Sequence, residues 1–198
     1  MNIIIGLVAK PGAGKGTFPK LLREACAKNM YFPSIGGPRF SDALRETLNY
    51  YEILPSRENL QELAKWLDAR KPGAVTLGMQ KKLETDKNEI KIADGVRWHY
   101  DEEMIRRLPN GLMVYIKTDP KIRYERIKAR NEKSGDAEKT IEKFIEEDDA
   151  QTERFIDDIG SLADFAITND GSLEDYRKQV EDFYEKFIVP LRNSNPLI

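Results

Sequence analysis

The chain has 198 residues, 40% hydrophobic and 33% charged, enough for one compact domain with a real core. Its 32 Lys and Arg offset 34 Asp and Glu, so no global basic field draws it to nucleic acid or an anionic membrane. The single cysteine, Cys26, excludes an internal disulfide and suits a buried position in a reducing compartment.

The first predicted strand, Ile3 to Val8, follows Met1 directly with no charged leader, and no apolar run reaches membrane-spanning length, so a cytoplasmic chain is expected. Next comes Pro11-Gly12-Ala13-Gly14-Lys15-Gly16-Thr17, leading into a helix predicted over Lys15 to Lys28. The three glycines let consecutive amides curl round an anion at a helix N-terminus. Lys15 supplies the point charge for the outer phosphates, and the Thr17 hydroxyl is placed for Mg²⁺ or phosphate. Ala9 stands where the strict phosphate-loop pattern has glycine, and Gly16 precedes the threonine.

Further short apolar runs at Tyr31 to Ile35, Ile90 to Ala93, Leu112 to Ile116 and Phe165 to Ile167 read as strands. Helical periodicity spans Ser41 to Glu52, Ser56 to Arg70, Thr76 to Lys87, Pro120 to Arg130, Glu138 to Ile159 and Leu173 to Val189. Ser56, Ser172 and Asp119-Pro120 read as helix starts. The alternation predicts a three-layer α/β fold with a mostly parallel five-stranded sheet, and ligands at the strand C-terminal ends. The core is expected at 1–35, 88–130 and 160–198, with an acceptor-binding helical insert at about 36–87 and a short lid at about 131–140 leading into an acidic helix.

The remaining chemistry lies just after strands. Asp42 and Arg45 open the helix after Gly36-Gly37-Pro38-Arg39. Arg45 suits a phosphate grip, whereas Asp42 reads either as a helix cap or as a base for an acceptor hydroxyl. Asp94-Gly95-Val96-Arg97 puts a carboxylate at the sheet edge for Mg²⁺ or for orienting Thr17, with Arg97 facing an acceptor anion. Trp98, His99 and Tyr100 beyond it suit stacking on a base or packing, and a lone histidine without partner ligands argues against zinc. Arg123, Arg126 and Arg130 share one helix face and suit closure over a transferring phosphoryl group. Glu146, Glu147, Asp148 and Asp149 read as a solvated face.

Together these motifs resemble the nucleoside monophosphate kinases of the P-loop class, in particular the adenylate-kinase-like group. The loop from Pro11 to Thr17 is similar to that group's phosphate loop nearly residue for residue. Asp42-Ala43-Leu44-Arg45 is similar to its Asp-Met-Leu-Arg acceptor motif, and Asp94-Gly95-Val96-Arg97 to its Asp-Gly-Phe-Pro-Arg turn less one residue. Arg126-Ile127-Lys128-Ala129-Arg130 resembles the paired arginines that open its lid. The resemblance implies ATP and Mg²⁺ as cofactors and Arg45 and Arg97 as acceptor-phosphate clamps. The segment Ala163 to Leu173 resembles the dephospho-coenzyme A kinases, which implies Asn169 and Gly171 near the adenine of ATP.

The expected activity is transfer of the γ-phosphoryl group of ATP to a nucleoside or deoxynucleoside monophosphate, by a monomer or homodimer. The alternatives are a kinase of dephospho-coenzyme A or another small alcohol, with Asp42 as base, and a nucleotide-dependent switch without transfer activity.

Overall fold

The computed structural model describes residues 2–130, 140–149 and 153–194. Five strands, β1 (Ile3–Val8), β2 (Ile35–Gly36), β3 (Ile90–Val96), β4 (Gly111–Lys117) and β5 (Phe165–Thr168), form one sheet in the order β2-β3-β1-β4-β5. Every pairing is parallel, so each connection must cross over a face of the sheet. β1 is the central strand and is buried on both faces. Its side chains alternate: Ile3, Ile5 and Leu7 enter one core, Ile4 and Val8 the other.

The first core is closed by α1 (Phe18–Lys28) and α9 (Leu173–Phe183), through Phe18, Leu22, Cys26, Tyr176, Val180 and Phe183. α9 passes through a π-helical turn, Tyr184–Ile188, into α10 (Val189–Ser194). The second core is closed by α4 (Ala74–Thr85), α5 (His99–Arg107) and α8 (Ile156–Ser161), through Met79, Leu83, Met104, Ile105, Ile156 and Ile159. Between β2 and β3, α2 (Asp42–Tyr50) and α3 (Arg57–Arg70) precede α4, and α3 buries none of its residues fully. Two further helices, α6 (Pro120–Arg130) and α7 (Ile141–Asp148), lie between β4 and α8.

Helix starts follow the side-chain chemistry. Ser56 accepts the Asn59 amide, and Ser172 and Asp175 cap one another's backbone. Pro120 is the first residue of α6, and the Asp119 carboxylate accepts the Lys121 amide.

Several elements differ from expectation. The strand predicted at Tyr31 to Ile35 shrinks to Ile35–Gly36. Pro33 offers no amide and restrains Phe32, and the pairing edge begins only at Ile35↔Ile90. α1 starts at Phe18 instead of Lys15, because the preceding residues form the loop, in which Gly14 has φ +98°. α5 has no counterpart in the sequence reading: its run His-Tyr-Asp-Glu-Glu-Met-Ile-Arg-Arg buries only Met104 and Ile105 among its apolar residues, too few to register as a period. The helix predicted over Glu138 to Ile159 is two helices, α7 starting where Thr140 accepts the Lys143 amide, and α8. The expected lid, Thr140 apart, lies outside the described residues.

Candidate active site

The order β2-β3-β1-β4-β5 sets the C-terminal ends of β1 and β3 side by side, with Leu7 opposite Asp94. The loop after β1 therefore faces the turn after β3. A cleft of about 200 Å³ opens between them, lined by Lys15, Gly16, Arg23, Gly37, Arg39 and Asp94 among others. Asp94 and Lys15 both line this space.

The loop is held from behind. Gly12 and Gly14 have φ of +82° and +98°, a conformation that costs any other residue strain. A Cβ on Gly12 would meet the Arg123 carbonyl at 2.8 Å, and one on Gly14 would run into the Asn169 amide group. The carbonyls are also tied down: Asn169 Nδ2 donates to Ala13 O at 2.8 Å, Thr118 Oγ1 to Ala13 O at 3.3 Å, and Tyr176 Oη to Gly14 O at 3.3 Å. Lys15 Nζ donates to Ala9 O at 2.8 Å. With the carbonyls fixed outward, the loop amides are left for another partner. Ala13, Thr17 and Phe18 donate within the loop, whereas among the described residues the amides of Gly12, Gly14 and Gly16 enter no backbone hydrogen bond.

Gly16 is a different case. A Cβ there would find nothing within 4 Å, so the protein itself does not demand glycine at this exposed position in the cleft. A bound polyphosphate approaching the backbone would demand it. The residues also fit a hard divalent cation. The Thr17 hydroxyl makes no capping bond, and Asp94 Oδ1 is buried without a hydrogen-bond partner among the described residues. No cluster of three or more His, Cys, Asp and Glu occurs among the described residues. Thr17 and Asp94 offer the oxygen ligands that Mg²⁺ takes, phosphate oxygens and water completing such a shell.

Arg123, expected to close over the transferring group, is instead a brace. It is 2% exposed, donating through Nε to Thr118 O at 3.1 Å and through Nη1 and Nη2 to the two Asp148 oxygens at 2.5 and 2.8 Å. Buried charge demands such pairing. Burial pushes the Asp148 carboxyl up, but Arg123 and Lys10 outweigh it and hold it below the usual carboxylate value. Lys10 also lies 3.2 Å from Asp157 Oδ2. The acidic stretch of α7 is thus only partly a solvated face, since Asp148 seats the loop's bracket and Glu147 pairs with Arg57 of α3.

Of the other expected residues, Arg126 Nη1 donates to Asn169 O at 3.0 Å, while the side chain of Arg130 lies outside the described residues. Asn169 is 7% exposed, with its amide turned onto the loop, and Gly171 precedes the capping box of α9. Asp42 accepts the Arg39 amide at 2.8 Å and lines a second recess with Lys82 and Asp86, apart from Lys15. That contact reaches back to the link before α2, and the N-terminus of the helix itself has no side-chain cap.

The turn after β3 and the start of the insert carry their own framework. Arg39 pairs with Asp94 across a parallel bridge, its Nε 3.9 Å from Asp94 Oδ2. Arg45 Nε is buried without a hydrogen-bond partner among the described residues. The Arg97 and Trp98 amides both donate to Asp101 Oδ2 at 3.0 Å, and Thr76 Oγ1 donates to Oδ1 at 2.5 Å. Burial pushes the Asp101 carboxyl up to about 6, despite these donors. Trp98 and His99 pack on Phe155, with ring centroids 5.7 and 5.3 Å away, which gives both rings a packing partner. Sequence reading missed Arg39, Asp101 and Glu153. For Asp101 a signal was available, its place three residues after Trp98 at a helix start.

With this arrangement in view, comparisons with known proteins fall into place. Three solved structures share the fold over nearly the whole chain. They are TT1252 from Thermus thermophilus (TM-score 0.62, 18% identity, 93% of this chain and 97% of that one), a shikimate kinase from Bacteroides thetaiotaomicron (0.59, 14%, 93% and 97%) and a gluconokinase from Sinorhizobium meliloti (0.57, 12%, 98% and 97%). The fold is thus that of the P-loop kinases. No described helix is long and apolar enough to cross a membrane. Among curated proteins, a UPF0200 protein of Sulfurisphaera tokodaii is 31% identical over 186 residues (93% of this chain, 97% of the relative). One of Pyrococcus abyssi is 30% identical over 194 residues (94% and 97%). A family model described as an AAA domain matches residues 5–154, from the central strand through the phosphate loop to the edge of Glu153. On that span and those relatives, the chain belongs to the AAA-domain family and to the UPF0200 proteins.

Proposed function

We propose that the chain is an ATP- and Mg²⁺-dependent kinase that transfers the γ-phosphoryl group to a nucleoside or deoxynucleoside monophosphate. The observation that carries this reading is the cleft in which Lys15, the uncrowded Gly16 and the unpartnered Asp94 oxygen meet, lined also by Arg23 and Arg39. In this reading the amides of Gly12, Gly14 and Gly16 cradle the phosphates of ATP, with Pro11 and Ala13 shaping the loop. Lys15 leaves the Ala9 carbonyl for the outer phosphates. Mg²⁺, held through Thr17 and Asp94, supplies charge neutralisation. Arg45 and Arg97 grip the acceptor phosphate, while Arg126 and Arg130 bring charge to the transferring oxygens. Asn169 and Gly171 border the adenine. A phosphate acceptor is already an anionic nucleophile, so positioning and charge suffice without a general base. The insert at 36–87 would carry the acceptor in a cytoplasmic enzyme.

The test is incubation with ATP, Mg²⁺ and a panel of ribo- and deoxyribonucleoside monophosphates plus dephospho-coenzyme A, with products resolved by mass spectrometry. One monophosphate should yield its diphosphate. Hydrolysis unaffected by any acceptor would overturn the kinase reading. A second reading, an alcohol acceptor, draws on the names of two fold neighbours, shikimate kinase and gluconokinase. Its proposed base, Asp42, is engaged with the Arg39 amide, which favours the phosphate acceptor.

A further inference from the structure

Several arginines of this chain meet a carboxylate directly. Arg97, Arg106, Arg123 and Arg177 each have a carboxylate oxygen within 3.2 Å. The two arginines that line the cleft beside the phosphate loop do not. Arg23, on α1, donates to the carbonyls of Pro19 and Ile35, and has no carboxylate partner among the described residues. Arg39 reaches Asp94 Oδ2 only at 3.9 Å. Its side chain is 68% exposed, and its guanidinium donates no hydrogen bond among the described residues. A guanidinium carries several N–H donors in a fixed fork that matches an oxyanion, so both residues keep donors for a ligand. With Lys15, they set three cations against the single carboxylate of Asp94 in the lining of this cleft.

The sheet order sets this space apart from the segment expected near the adenine. Asn169 follows β5 on one flank of the central strand, whereas the cleft opens on the other flank, towards the ends of β3 and β2. Arg39 is also held rigidly there. Asp94 N donates to Pro38 O and Phe40 N to Asp94 O, both at 3.1 Å, and Asp42 Oδ2 accepts the Arg39 amide at 2.8 Å. Phe40 is buried, and Gly37 lies so close to β3 that a Cβ would run into the Ile92 carbonyl. An exposed side chain on a backbone fixed at its own residue and both neighbours needs little ordering when it binds.

We propose that the anionic group of the acceptor seats in this cleft against Arg23 and Arg39, and that Asp42 positions Arg39 by holding its amide. The inference rests on the loop being the ATP site. It puts Arg39 ahead of Arg97, whose guanidinium faces Glu153 and which lines neither this cleft nor the recess at Asp42. A volume of about 200 Å³ takes an oxyanion head and leaves the rest of the acceptor to the insert. A phosphate ester and a carboxylate share that chemistry.

The test is a calorimetric titration in which a non-hydrolysable ATP analogue and Mg²⁺ first fill the loop, so that anions bound there are not counted. The probes are inorganic phosphate, each of a set of nucleoside 5′-monophosphates, and glycerate as a hydroxycarboxylate. They are titrated into wild type, Arg23→Met, Arg39→Met, Arg39→Lys, Asp42→Ala and Asp42→Asn. Wild type should bind at least one probe, and Arg23→Met and Arg39→Met should each weaken it about 10–100-fold, the range for hydrogen bonds to a charged group. The affinity for the analogue, titrated alone, should stay at the wild-type value. Arg39→Lys keeps the charge without the fork and should recover part of the loss. Asp42→Asn keeps an oxygen for the Arg39 amide and should bind as wild type does, whereas Asp42→Ala should weaken the probe. Arg23 ties α1 to β2, so if its variant does not fold, the exposed Arg39 carries the test. A monophosphate bound more tightly than glycerate assigns the site to a phosphate ester, and the reverse order to a carboxylate. Probe affinity unchanged in Arg39→Met, or no probe bound by wild type, overturns the inference and leaves the ATP site standing. Equal losses for probe and analogue also overturn it, by giving both arginines to ATP. An analogue that wild type does not bind removes the kinase reading as well.

Discussion

The two banks of the cleft are built on opposite terms. On the phosphate-loop side the carbonyls of Ala9, Pro11, Ala13 and Gly14 are each claimed by a side chain, from Lys15, Arg123, Asn169 with Thr118, and Tyr176. On the acceptor side, Arg45 Nε, Asp94 Oδ1 and both Glu153 oxygens are buried without hydrogen-bond partners among the described residues. The polar atoms of one side are satisfied within the fold; those of the other are not. Substitutions on the first should cost stability, and on the second binding.

The largest effect should come from the residue that belongs to both. Replacing Lys15 by Met should lower phosphoryl transfer by about 10²–10³ or more, with circular dichroism unchanged; near-wild-type turnover would remove the chemical half of the comparison. Arg123→Ala removes the buried guanidinium that ties Asp148 to the Thr118 and Pro11 carbonyls, leaving Asp148 only Lys10 among the described residues, and should destabilise the fold by about 1.5–3 kcal/mol in urea titrations. Arg45→Ala, in the insert, should stay within about 0.5 kcal/mol of wild type yet weaken monophosphate binding. Equal losses of stability in the two would break the distinction.

Asp101 sharpens it further, because it serves the acceptor side by fixing the Arg97 turn. Its carboxyl rises from 3.8 unfolded to about 6 folded, so the native chain holds more protons than the unfolded one between those values. Its contribution to stability is therefore full below pH 3.8 and is lost as pH rises through about 6, by at most about 3 kcal/mol. The stability difference between wild type and Asp101→Asn should fall across that window and flatten above it. A pH-independent difference in melting temperature would show that the carboxyl does not titrate there. The smallest effect is a matched pair of glycines. Gly14→Ala meets the Asn169 amide at a positive φ and should cost about 1–3 kcal/mol. Gly16→Ala meets no protein atom, and should leave the melting curve alone while lowering ATP affinity in equilibrium binding.

The donor side was largely legible in the sequence because it is local. The spacing of Gly12, Gly14, Lys15 and Thr17 after a buried strand implies a loop geometry within one short stretch, and β1 and α6 fall at their expected bounds. The facing side was less so, since Thr76, the Arg97–Asp101 turn and Glu153 come from three separate stretches of chain and meet only after α4, α5 and α8 pack under one sheet face. Spacing of arginines on α6 placed three on one face, but burial decided their roles, turning Arg123 into a bracket. α5 escaped notice for the same reason: two buried apolar residues are too few to announce a helix that tertiary packing stabilises.

Cys26 lies wholly inside the first core, and burial raises its thiol from 9.0 to about 11. At neutral pH almost none of it is thiolate, the form that reacts with alkylating dyes. The native chain is therefore chemically silent toward maleimides. A cysteine engineered on the exposed face of α3 and another on α7 would be the sole targets for a fluorophore pair. The separation of insert and acidic helix, now bridged by Arg57 and Glu147, could then be followed in single molecules as ligands arrive, without first removing a native residue.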